Sequence, residues 1–508
     1  MNFKSITVAA AVALLASCAG RPDRAARSID FPPPIFPDYT DVTVPCNIAP
    51  LNFMIDDADF IRAEFFAVAE SDGIASLSPE SFTESPRLAV EGRRGLVDIP
   101  IDEWRALLDA NRGLTLAVRV SAWGENYPDG VCYAPFAICV SADPIDGWAA
   151  YRLMEPGYEG WLQMGIYQRD LSTFTEKVLV DNSVNGMGCV NCHSFCDWSP
   201  DRMMFHSRSD GGGTVFWQDG EAKKVNLAGL GPKKQGTYPK WNPRGRYVAY
   251  SSNETYQTFY AKDRQVNETF DTASDIIIYD TESGKVLTDD RFLTPERWES
   301  YPEWTPEGDF LLFASAEGVN MPAERRDLHY DLLRVPFDRE TGRLGERVDT
   351  LYNSRLDGGS AAYPRVSPDG RYLMYTRAHY GTFPVWHKEA DLAMIDLRDG
   401  SAVDVSALNS DCSESYHSWS SSGRWVVFAS RRLDNRYARM FIAHVSPEGV
   451  CGKPFLLPQR NPEHNMWRLK SYNIPELVKG EVKLPKERLR ELLDAPVANR
   501  AVVGRAVN

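Results

Sequence analysis

Cys189-Val190-Asn191-Cys192-His193 is a C-x-x-C-H pentapeptide, the attachment pattern of a c-type haem. Two thiols add across the porphyrin vinyl groups, the two-residue spacer sets their separation, and the following histidine serves as proximal iron ligand. A redox disulfide Cys189–Cys192, or a zinc or iron–sulfur site that adds Cys196, would use the same cysteines. Neither alternative requires a histidine directly after the second cysteine.

The chain start agrees with this chemistry. Lys4 precedes an apolar run, Ile6 to Leu15, and Leu15-Ala16-Ser17-Cys18 matches a lipobox. The run is too short to span a bilayer and reads as a cleaved signal over residues 1–18. Cys18 then becomes the acylated first residue, attaching the protein to the membrane. Haem attachment follows export, so both signals point to the cell envelope. Ala19 is not an aspartate-type retention signal, so the outer membrane is expected, facing the periplasm or the outside.

The elements that must hold the motif are mostly strands. The 508 residues include 13 Trp, 22 Tyr and 23 Phe with 36 Gly and 33 Pro, a composition suited to an all-β chain rich in turns. A net charge of −14 with no basic stripe excludes a nucleic-acid partner. Six of the nine cysteines lie outside the lipobox and the haem pair: Cys46, Cys132, Cys139, Cys196, Cys412 and Cys451. An oxidising compartment favours pairing, and Cys132 and Cys139 are close enough in sequence to staple a hairpin.

One phrase recurs. It reads Phe195-Cys196-Asp197-Trp198-Ser199-Pro200-Asp201, then Tyr238-Pro239-Lys240-Trp241-Asn242-Pro243, Tyr301-Pro302-Glu303-Trp304-Thr305-Pro306, Tyr363-Pro364-Arg365-Val366-Ser367-Pro368 and Tyr416-His417-Ser418-Trp419-Ser420. An alternating strand follows each copy. Four antiparallel strands per repeat make a propeller blade. Residues 148–181 read as a divergent first blade, and Met466 to Ile474 as the segment that returns to close a ring of six. The expected organisation is all-β: a β-sandwich-like domain over 19–145, immunoglobulin-like in topology, with a short helix at Ile101 to Asn111. A six-bladed propeller over 146–477 carries the haem motif. A helix near Leu484 to Leu493 and a disordered tail complete 478–508.

The repeat resembles the TolB-type β-propeller repeat over residues 195–457. Pro37-Asp38-Tyr39, Asn47 to Phe53, Cys189 to Phe195, Trp386 to Asp391 and Ser471 to Glu476 extend the resemblance to Bacteroidetes-type TolB-like lipoproteins, often labelled cytochrome c biosynthesis proteins. The resemblance implies the propeller fold and little about activity. The first copy departs from it, lacking the turn glycine after Asp201.

Blade geometry places the motif at the start of a first strand, on the face opposite the Pro-Asp-Gly turns. His417 aligns with Pro239, Pro302, Pro364 and Cys196. The loop Ala378 to Ala390 brings His379 and His387 to the same face, and His206 ends there too. His417, His387 or His206 is the expected sixth iron ligand, with Met187 and Met203 as thioether options or an open site. His329 and His444 have weaker claims. The expected function is envelope electron transfer by one covalent haem c, with a redox partner or another envelope protein. Peroxidase-like activity would need an open iron. A second expectation is a scaffold binding a protein, peptide or glycan, with haem as sensor or structural element; the acidic stretches Glu254 to Asp271 and Glu317 to Asp331 are its candidate docking loops. No G-x-S-x-G, H-E-x-x-H or P-loop motif competes.

Overall fold

The computed structural model describes residues 25, 27–68, 85–155, 163–208, 212–227, 236–259, 267–495 and 499–505. Cys18 and the signal segment lie outside these residues.

Six sheets of four or five strands surround one axis. Blade one joins Trp148–Met154, Met164–Asp170 and Glu176–Asp181 to an innermost strand from the far end of the chain, Ser471–Val478. Ring closure by the C-terminal segment is thus as expected. The innermost strands of blades two to six are Cys189–Phe195, Thr237–Trp241, Arg297–Trp304, Ser360–Val366 and Glu414–Trp419. Most of their residues are buried, polar as well as apolar, so they show no clean alternation of hydrophobic and polar positions.

All six innermost strands carry the same bulge. In blade two Asn191 pairs with His206 and Ser194 with Met204, so Cys192 and His193 together oppose a single residue. The equivalent shift falls at Tyr238-Pro239, Tyr301-Pro302, Tyr363-Pro364, Tyr416-His417 and Ile474-Pro475. The first residue of each pair has a left-handed backbone, with φ from 48° to 53°. That conformation costs a non-glycine residue on the order of 1 kcal/mol, and packing around the axis holds it six times over.

This register corrects the sequence alignment. Phe195, not Trp198, is the partner of Trp241, and His193, not Cys196, is the partner of Pro239 and His417. Cys196 aligns with Asn242, because the turn after Phe195 has one extra residue. Trp198 therefore leaves the repeat and seals the ring. Its Nε1 donates to the Trp419 carbonyl at 2.7 Å, and the Lys479 amide donates to its own carbonyl at 2.9 Å. Trp304 and Trp419 staple neighbouring blades through Nε1 bonds to the carbonyls of Lys240 and Arg365.

The N-terminal domain is a seven-stranded sheet, a two-stranded sheet (Phe53–Met54 with Leu96–Val97) and the helix Ile101–Ala110. Two of its strand pairs are parallel, which separates it from an immunoglobulin topology. Its core is continuous with blade six: Val42 and Val44 share a cluster with Met440, Ile442 and Phe455. Asp146 accepts from the Ser421 amide and hydroxyl at 2.8 and 2.6 Å.

Two further expectations change. Cys132 and Cys139 pair with Ser121 and Thr115 of one strand, six positions apart, or about 20 Å. A disulfide there is sterically excluded, and all eight described cysteines are free. The chain end, expected to be disordered, adds Asn499–Arg500 and Val502–Arg505 as parallel outer strands to blades two and three, after a helix at Lys486–Asp494.

Candidate functional site at the propeller axis

The bulge residues stack in layers around the axis. Cys192, Tyr238, Tyr301, Tyr363, Tyr416 and Ile474 form a belt. The four tyrosine rings lie 4.4, 4.5 and 4.3 Å apart in succession, and all are buried or nearly so. Cys192 and Ile474 fill the gap between Tyr416 and Tyr238. Below the belt, Ser194, Lys240, Glu303, Arg365, Ser418 and Glu476 form a polar ring. Glu303 Oε2 lies 3.3 Å from both Lys240 Nζ and Arg365 Nη1, and Glu476 Oε1 lies 3.9 Å from Lys240 Nζ. This ring floors a funnel of about 360 Å³ on the turn face, walled by Trp198, Trp304, Trp419, Pro306 and Pro368.

The motif is held between these layers. His193 has a fully buried imidazole; neither ring nitrogen has a hydrogen bond of good geometry, and the Ile474 backbone beside it pulls its pKa up against the larger effects of burial. Its nearest acid is Glu476, with Nε2 to Oε2 at 4.0 Å, beyond hydrogen-bond reach. Burial and the nearby Arg152 guanidinium push its pKa down to about 3. Cys189 and Cys192 are each 7% exposed. Burial raises the Cys189 thiol against the pull of Arg152 and Arg208. Cys196 stands apart: its Sγ faces the Asn242 carbonyl at 3.7 Å, in the seam between blades two and three.

The other proposed iron ligands separate. His206 sits across from Asn191, its Nδ1 bonded to Thr214 Oγ1 at 2.8 Å and its Nε2 without a partner. His417 shares the layer of His193, fully buried, with no hydrogen bond of good geometry at either nitrogen and the Met374 backbone close by. Burial drives both of these imidazoles down to about 3. His387 is engaged elsewhere, Nδ1 3.2 Å from Glu389 and Nε2 3.7 Å from Glu268, with its ring against Tyr380. His379 is exposed beside Glu389. Met203 is packed in the apolar cluster between blades one and two, and Met187 is half exposed. His329 bonds the Gly359 carbonyl and His444 packs on Trp425. Of the acidic stretches, Glu254 to Asp271 belongs largely to a long hairpin in which Glu268 and Asp271 are buried.

Buried polar atoms without partners are rare in folded proteins and call for an explanation. Such atoms occur throughout the described residues, and around the motif they include both nitrogens of His193, His206 Nε2, Asn191 Oδ1, Asn185 Oδ1, Ser194 Oγ, Glu476 Oε2 and Arg152 Nε. Two thiols and an imidazole are the residue types a covalent haem would need, but the space beside them does not match its size. The enclosed space beside Cys192 and His193 is about 20 Å³, room for one water. A tetrapyrrole therefore enters only if the tyrosine belt parts.

No family model matches the chain, and no curated protein matches it. Among solved structures it is similar to TolB from Acinetobacter baumannii at 15% identity, over 74% of this chain and 85% of that one, with a TM-score of 0.41. It is similar to an oligogalacturonate lyase in complex with manganese at 12% identity, over 59% and 91%, with a TM-score of 0.32. A puromycin-hydrolysing peptidase of Mycobacterium tuberculosis matches at 11% identity over 68% of this chain and 52% of that one, with a TM-score of 0.34. The propeller itself is established by the strand pairing above.

The motif is legible in the sequence, whereas its surroundings are not. Arg152 and Glu476 emerge only when all second strands and all innermost strands are aligned through the bulge. The tyrosine belt was visible as the Tyr of each Tyr-Pro pair, without its partner Cys192.

Proposed function

We propose that this protein is an envelope-anchored c-type haem protein, with the haem bound through Cys189 and Cys192, His193 as axial ligand, and electron transfer as its role. The observation that carries this reading is the Cys192-His193 pair at the bulge, where three other blades have Tyr-Pro, with the His193 imidazole buried and without a side-chain partner in hydrogen-bond reach. A bound haem c would supply one-electron chemistry. The chain's own residues exclude water: the tyrosine belt closes the axis, and Ser471–Val478 lies along the motif strand and closes the ring. Ser471–Val478 is the last of the six innermost strands in sequence, and in this reading attachment precedes the ring closure it makes. Cys18 anchors the protein to the membrane in this reading.

The test is a pyridine haemochrome spectrum together with the mass of the denatured protein after expression with a c-type maturation system. A second reading, a binding scaffold, is favoured by the funnel on the turn face, whose volume is in the range of small-ligand sites. Ligand-dependent stabilisation of a haem-free preparation would support it.

A further inference from the structure

The funnel on the turn face is far larger than the space beside the motif and shares only Arg365 and Glu476 with it. Its floor balances two cations, Lys240 and Arg365, against two acids, Glu303 and Glu476. These side chains are between 7% and 18% exposed. Charges this buried are ordinarily locked in charge-assisted hydrogen bonds of about 2.7–2.9 Å. Here the ion pairs are loose: 3.3 Å from Glu303 to each cation and 3.9 Å from Glu476 to Lys240. Arg365 Nη1 donates to the Pro364 carbonyl at 2.7 Å, Glu303 Oε1 accepts from the Trp304 amide at 2.9 Å, and the Phe195 backbone helps to hold the Glu476 carboxylate. Further donors on both cations and lone pairs on both acids are left for whatever fills the funnel.

The walls are hydrocarbon. Trp198, Pro306 and Pro368 are half-buried. The ring N–H groups of Trp198, Trp304 and Trp419 are already bonded to carbonyls. Two of those carbonyls belong to Lys240 and Arg365, so the walls fix the backbone of the floor. At the rim Arg244 pairs with Glu307 at 2.5 Å and Lys479 with Asp197 at 3.4 Å.

Floor and rim are thus each neutral. A ligand of net charge would meet as much repulsion as attraction. An uncharged ligand whose adjacent hydroxyls both donate and accept satisfies acids and bases together, and its C–H surface lies against the walls. Those are the properties of a sugar. The tyrosine belt closes the axis behind the floor, so a sugar chain enters end-on.

We propose that the funnel binds the end of an uncharged saccharide, with Lys240 and Arg365 donating to its hydroxyls and Glu303 and Glu476 accepting from them. The inference deepens the second reading above and rests on it; it does not depend on haem.

The test uses the full chain expressed without haem maturation and, as probes, cellobiose, maltose, glucuronate and glycylglycine. At least one of the neutral disaccharides is expected to raise the melting temperature saturably and to change tryptophan fluorescence. Its Kd should not move between low and high salt. Glu476→Gln and Lys240→Met are each expected to weaken that binding about tenfold, the loss of one hydrogen bond to a charged group. The salt comparison needs wild type alone and stands even if neither variant folds. Stabilisation by glucuronate or glycylglycine but by neither disaccharide would keep the funnel as a ligand site and overturn the saccharide assignment. Disaccharide binding that both variants leave unchanged would place the sugar elsewhere and overturn the proposal. Stabilisation by none of the probes would overturn it together with the scaffold reading.

Discussion

His193 occupies in blade two the bulge position that Pro239 occupies in blade three: both follow a left-handed residue and both sit between the same two ladder pairs. A proline there leaves no polar atom to satisfy. A histidine leaves two ring nitrogens at the axis, and neither has a hydrogen bond of good geometry. The motif has thus been fitted into a structural slot of the repeat, without an added loop.

Spectroscopy should separate the histidines. His193→Ala is expected to abolish the normal haem spectrum. His206→Ala or His417→Ala should convert a low-spin to a high-spin spectrum if that residue is the sixth ligand, since each has a nitrogen without a hydrogen bond of good geometry. His387→Ala should leave the spectrum unchanged, because Glu268 and Glu389 flank its ring. A ferric wild type that is already high-spin and binds cyanide would place no side chain on the iron and would favour peroxidase-like or sensing roles.

Stability should fall on the alkaline side. Burial raises Glu299 from 4.5 to about 8 and Asp271 from 3.8 to about 7. The folded state then holds protons that the unfolded state has released, so stability is greatest below about pH 4 for these groups and is lost as pH rises through 7 to 8. Glu299→Gln is expected to flatten that loss, measured by denaturant midpoints from pH 5 to 9. An unchanged slope would contradict the assignment.

The seam of the ring is open to mutation. Trp198→Ala removes the bond to Trp419 and a half-buried indole, and is expected to cost about 2–3 kcal/mol in chemical denaturation. A loss within 0.5 kcal/mol would show that Trp198 does not latch blade two to blade six.

Cys18→Ala should move the protein from the membrane to the soluble fraction, because acyl chains on the mature N-terminus supply the anchoring. Unchanged membrane association would count against the lipobox.

The strand repeat was legible because turns such as Ser367-Pro368-Asp369-Gly370 are local chemistry. So were the blade count, the closing strand and the helix near Leu489. The alignment of blade two was not, because Trp198 mimics the repeat tryptophan three residues after Phe195, and only the hydrogen-bond register tells them apart. The Cys132–Cys139 staple failed for a similar reason: closeness in sequence hid a strand, Thr115–Gly124, whose two ends hold them apart.

The most direct measurement is the mass of the denatured mature protein after co-expression with a c-type maturation system, set against a Cys189→Ser, Cys192→Ser double variant. The account predicts one haem increment on the wild type, a matching pyridine haemochrome, and neither in the variant. A folded wild-type protein with the bare polypeptide mass would contradict it.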